Sequence, residues 1–260
     1  MKILLLQIRA LVKLSFLELW RRNDVFALAL LAVALMVPLS MASPFGASGA
    51  TRYLDEVALL LVWGYSLFIA VGTGSRLFPP EFESRTIYPL LSKPISRGRL
   101  LLGKYLGACA ASGSALLVFY ALFLGSAVAR GSSVSLLEIV QAVVLHLAFV
   151  ALAVAASLFG SLIVTRSANL ALVPMVLASM FFFGRKLLHY ADAVSPLSAW
   201  ALKVAYAVAP HAEFFDMRQR LVHGWGAVDG AAFAAALAYA AAYTAMLLFA
   251  ASAVLKRKRI

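Results

Sequence analysis

Few side chains in this 260-residue chain are of types that do chemistry, and most of those sit among apolar neighbours. His146 lies inside the apolar run 136–164. An ionisable ring at mid-membrane is a functional feature by default, and a neutral ring bonded to a neighbouring Ser or carbonyl is the plainer alternative. Ser48, in Gly46-Ala47-Ser48-Gly49, would be the nucleophile of an intramembrane hydrolase with His146 as its base, because an unassisted hydroxyl is a poor nucleophile. Ser48 follows Pro44 in a loop-like stretch rather than opening a small-residue helix, which counts against that pairing. Gly98-x-x-x-x-Gly103-Lys104-Tyr105 has the outline of a phosphate-binding loop, but Tyr105 replaces the hydroxyl residue that holds magnesium and the interior is rich in Leu. No nucleotide site is predicted. His211, Glu213 and Asp216 are metal-ligand types, yet at helical spacing they do not converge, and no metal site is expected. The single Cys109 lies in an apolar run, where it reads as a packing residue.

The elements that must position these residues are set by hydropathy. Hydrophobic residues make up 63% of the chain and charged residues 13%. A soluble domain is about half apolar and a quarter charged. The excess is concentrated in blocks, and about 18 consecutive apolar residues suffice to cross a hydrocarbon core of about 30 Å. The blocks predict an all-α polytopic membrane protein with six transmembrane helices, over 24–41, 55–78, 101–129, 136–164, 169–184 and 229–255. Residues 1–22 precede them. Lys2, Arg9 and Lys13 fall within an arc of about 40° on that helix, which predicts an interfacial elbow helix, although Gln7 and Glu18 point the other way. Arg21, Arg22 and Asp24 break the N-terminal apolar run, so it does not read as a cleavable signal peptide. Small residues on the third span, among them Gly103, Gly107, Ser112 and Gly113, predict close packing against another helix, in this chain or in a partner.

The net charge of +12 flanks the apolar blocks, which points to membrane topology and away from nucleic acid. With the N-terminus inside, 16 of the 23 Lys and Arg fall on inner segments. The expected location is the cell inner membrane, with both termini and segment 79–100 in the cytoplasm and segment 185–228 on the outer side.

Segment 81–104 carries a resemblance. Glu81, Thr86, Leu90-Leu91, Pro94-Ile95-Ser96-Arg97 and Gly103-Lys104 follow the pattern of the first cytoplasmic loop in permeases of the type-2 ABC exporter family, which the segment resembles over about 24 residues. Arg85 stands where Gly is usual there. A stretch like Pro210–Arg218, with Pro, then Phe-Asp, then Arg, precedes the last span in some members.

The resemblance implies a permease that forms a translocation pathway and does no covalent chemistry. ATP and magnesium would reside on a separate ABC ATPase subunit, present in two copies, and the chain would pair with a second copy or a related permease. It implies that Glu81, Glu83, Arg85, Thr86, Leu90, Leu91, Pro94, Ser96 and Arg97 form the coupling segment that docks on the ATPase. By their own pattern, Glu81, Glu83 and Arg85 before Ile87, Leu90 and Leu91 make a short amphipathic helix that Pro89 kinks or stops, and Ser96 can cap the helix that follows. Pro210, His211, Glu213, Phe215, Asp216 and Arg218 are expected to form a polar lid over the outer exit, in a segment that is interfacial or partly re-entrant. The alternatives are an intramembrane protease or lipid-modifying enzyme, and an assembly protein without transport. No side-chain cluster identifies a transported ion, lipid, peptide or polysaccharide.

Overall fold

Inside a bilayer each backbone group must find its partner within its own segment or barrel, so long apolar runs without alternation fold as helices. The computed structural model describes residues 2–20, 34, 50–79, 82, 96–129 and 135–257. Its helices are α1 (Lys2–Trp20), α2 (Ala50–Gly74), α3 (Arg97–Ala129), α4 (Leu136–Ile163), α5 (Arg166–Ala191), α6 (Pro196–Val208), α7 (Arg218–His223) and α8 (Gly230–Arg257), with a 3-10 turn at Ala212–Phe215 between α6 and α7. No strand occurs among the described residues. Five helices are long and apolar enough to cross a membrane: most of α2, all of α3, α4 and α8, and the first 19 residues of α5. The expected span 24–41 apart from residue 34, Ser48, and segment 80–95 apart from residue 82 lie outside the described residues.

Local chemistry sets the helix ends. The Ser96 hydroxyl accepts from the Arg99 N–H at 3.4 Å and opens α3, as the spacing predicts. Thr165 accepts from the Ala168 N–H at 3.4 Å and opens α5 after a tight connection from α4. The Asp229 carboxylate accepts from Ala231 and Ala232 at the start of α8. Gly224 ends α7 with φ 60°, a left-handed conformation that favours glycine.

The long helices run up and down. α2, α4 and α8 run from one end of the bundle to the other, and α3 and α5 run back. One end carries Arg97, Arg99, Lys104 and the last turn of α8 with Lys256 and Arg257, and is called the basic end. The far end holds the start of α4, α7 and the start of α8. With 33 residues α3 is about 50 Å long, well over the core thickness, so it overreaches the apolar layer.

Gly103 and Gly107 of α3 meet α1 of the same chain, whereas Ser112 meets α2 and Gly113 meets α4. A Cβ on Gly103 would lie 2.6 Å from Leu11 Cβ, and one on Gly107 would lie 2.6 Å from Ser15 Cβ. Arg99 donates to the Gln7 side chain at 3.4 Å. All three pairs share one register, so α1 runs parallel to the first turns of α3. Leu11 and Ser15 are buried in that seam, while Arg9 and Lys13 face outward.

Candidate functional site

The basic end is held by two cations of α3. Arg97 donates to the Leu255 carbonyl at 3.0 Å and the Lys256 carbonyl at 3.1 Å. These are terminal acceptors of α8, left without intrahelical donors, and they sit at the negative end of its dipole. Lys104 is buried and donates to the Leu77 carbonyl at 2.7 Å, just beyond the end of α2, with its Nζ 5.4 Å from the centre of the Phe78 ring. The start of α3 is therefore tied to α1, α2 and α8 at once. Residues Gly98–Lys104 are helical from the first turn, so the phosphate-loop outline has no loop to form it. Of the nine residues expected to couple to an ATPase, the structure describes Ser96 and Arg97. The other seven, Glu81, Glu83, Arg85, Thr86, Leu90, Leu91 and Pro94, lie outside the described residues.

Polar groups cross-link the spans further along. Thr73 on α2 and Ser112 on α3 are 2.9 Å apart. Ser157 on α4 donates to the Val71 carbonyl at 2.8 Å, and Asn169 on α5 donates to the Ser157 carbonyl at 2.8 Å. At mid-bundle His146 is wholly enclosed. Its Nε2 lies 2.7 Å from the Ser66 hydroxyl and its Nδ1 lies 3.2 Å from the Tyr120 hydroxyl. Trp63 stacks on the ring, with centroids 4.3 Å apart.

The order of donors follows. Ser66 donates its proton to the Trp63 carbonyl at 2.9 Å, so His146 Nε2–H must donate to Ser66. Nδ1 then accepts from Tyr120. A neutral ring satisfies every group in this chain. Ser66 and His146 have the separation of a nucleophile and its base, but the Ser66 proton is held by a backbone carbonyl. Both side chains are sealed under Trp63, and neither lines the cavities described below.

At the far end the chain folds back between α6 and α8. The Pro210 carbonyl starts the 3-10 turn by accepting from Ala212 at 2.9 Å. Phe215 packs between Phe149, midway along α4, and Tyr239 of α8. Asp216 grips Arg218 through both oxygens, at 3.0 and 3.1 Å. That guanidinium lies 4.5 Å over Phe181, which touches Trp63. The far-end turn thus joins the His146 cluster through two aromatic paths. Gln141 pins the segment by exchanging hydrogen bonds with the Val228 N–H and carbonyl, at 2.8 and 3.0 Å.

Glu213 is 3% exposed, and neither carboxylate oxygen has a hydrogen-bond partner. His211 Nδ1 is 3.3 Å from one of those oxygens, an ion-pair contact when the ring is protonated, and it too makes no hydrogen bond. The carboxylate presses on α5 where Gly184 leaves room: a Cβ there would lie 2.5 Å from Glu213 Cδ. On one side of Glu213 is a cavity of about 420 Å³ between the turn, α4 and α8. On the other is one of about 190 Å³ reached by Phe181, Lys186 and Arg218. Asp216 turns to Arg218, so His211, Glu213 and Asp216 do not converge, and no group of three His, Cys, Asp or Glu side chains does so among the described residues.

The partners of His146, namely Ser66, Trp63 and Tyr120, were not legible as a group, because they come from three helices and share no spacing. A polar residue inside an apolar run was the available signal. In comparison with known proteins, residues 47–258 match the family described as ABC-2 family transporter protein. No curated protein matches the chain.

Proposed function

The chain belongs to the ABC-2 transporter family and is a membrane component of an ABC transporter, and from that premise we propose that it is the permease of an ATP-driven exporter, driven by a separate ATPase subunit that docks at segment 79–100. The basic end faces the cytoplasm in this reading, in line with the excess of cations there. Two permease chains enclose the pathway, and two ATPase subunits bind below them. ATP hydrolysis takes place on those subunits, so this chain moves helices and makes no covalent bond.

The junction at the start of α3 carries the reading. A push on segment 79–100 arrives at Ser96 and Arg97, where α3 is bonded to the end of α8 through Arg97 and to the end of α2 through Lys104. Rigid helices tied at their ends move together, which is what switching between inward- and outward-facing states requires. α3 carries Tyr120 to the His146 cluster at mid-bundle, and α8 reaches the His211–Arg218 turn at the far end through Tyr239.

The test is charge reversal at the docking segment. The Glu81→Lys, Glu83→Lys double variant should insert normally yet lose ATP-driven transport in vesicles containing the ATPase. Full transport by that variant would refute the coupling role.

A further inference from the structure

We propose that the far-end cavity beside Glu213 is a binding site for an organic cation, an ammonium-type charge carried on an apolar body. A buried carboxylate without partners is unfavourable unless a cation completes it. Glu213 has no hydrogen bond at either oxygen, its contact with a basic group being the His211 ring at 3.3 Å, and it lines the 420 Å³ cavity. That volume is far beyond a bare metal ion and within the range of organic ligands.

The walls match the charge. Phe214, Phe233 and Tyr239 supply aromatic faces, which attract cations, and Leu145, Val228 and Ala236 supply apolar surface. The neighbouring charged groups leave room for a further cation: His211 Nδ1 touches one Glu213 oxygen at 3.3 Å without hydrogen-bond alignment, and the second oxygen has no contact of that kind. Asp216 is occupied by Arg218, Arg220 turns to the Gly226 carbonyl at 3.5 Å, and Lys186 is exposed. Phe214 and Ala232 line the cavity and are themselves exposed, so a ligand has an entrance. Gly184 serves the same arrangement, since any larger residue would displace the carboxylate from its place beside the cavity.

As a transported substrate class this deepens the exporter reading and rests on it, but binding is measurable without any ATPase. The probes are tetraphenylphosphonium and tetraphenylborate, equal in shape and opposite in charge, in equilibrium dialysis against the full chain in nonionic detergent. The cation should bind saturably and the anion should not. Glu213→Gln should weaken cation binding at least about tenfold. Arg220→Gln should keep it or strengthen it. Should Glu213→Gln fail to fold, Ala236→Trp, which fills the cavity and leaves the carboxylate, should abolish binding.

Equal binding of the anion, or unchanged affinity in Glu213→Gln or Ala236→Trp, would overturn the site. Nanodiscs decide the source of the cation. Weaker probe binding in phosphatidylethanolamine or phosphatidylcholine than in an uncharged glycolipid assigns it to an ammonium lipid headgroup, and equal binding in all three assigns it to a soluble cation. Loss of binding with Glu81 and Glu83 still coupled would sink this site alone. The converse would sink the exporter reading alone.

Discussion

His146 illustrates how a residue in a membrane span can be ionisable and still serve packing. Its two nitrogens are used by Tyr120 and Ser66, and its face by Trp63. Replacing it with Phe keeps the stack and orphans the Tyr120 hydroxyl. An unsatisfied buried hydroxyl costs about 1–3 kcal/mol, and a hydrogen bond between spans is worth about 0.6–2 kcal/mol. His146→Phe should therefore lower stability by about 1–3 kcal/mol in denaturant titrations. Combined with Ser66→Ala it should cost less than the two changes summed, since each already breaks the same bond. Unchanged stability together with lost transport would instead make His146 a group of the pathway. The presence of a polar centre was legible from one His in an apolar run. Which hydroxyls would satisfy it was not, because α2, α3 and α4 meet there only after packing.

Among the elements, α1 and α3 form a close seam. Gly103 and Gly107 let the helices approach until a methyl group no longer fits. Glycine inside a helix is intrinsically about 1 kcal/mol worse than alanine. At Gly98, where nothing lies within 4 Å of the added Cβ, substitution by Ala should thus stabilise the chain by up to about 1 kcal/mol. At Gly107 the same change should destabilise it by about 1–3 kcal/mol, because Ser15 and the Val12 carbonyl are in the way. Thermal melting gives the sign, and limited proteolysis of α1 should rise only in the Gly107 variant. The spacing of small residues announced a close helix partner. That the partner is the N-terminal helix, running parallel, depends on a register which no local pattern encodes.

At the scale of the whole molecule, the two ends are linked through α3 and α8. Arg97 binds the last carbonyls of α8 at one end, and α8 contributes Tyr239 and Phe233 to the cavity at the other. Removing a cation from a helix C-terminus costs about 0.3–1 kcal/mol, so Arg97→Ala should melt almost normally. It should nevertheless lower transport per ATP severalfold in vesicles with the ATPase, because the push on α3 would no longer reach α8. Normal transport by that variant would make Arg97 a simple cap. The sequence by itself determined the membrane class, the helical architecture and the family, since hydropathy over about 20 residues and a short linear motif are local properties. Tertiary structure alone decided which carbonyls Arg97 and Lys104 hold, which hydroxyls satisfy His146, and that Glu213 lies beside a cavity with no hydrogen bond to its carboxylate. Each of those depends on groups far apart in the chain, and only the packing of helices sets their distance and exclusion from water.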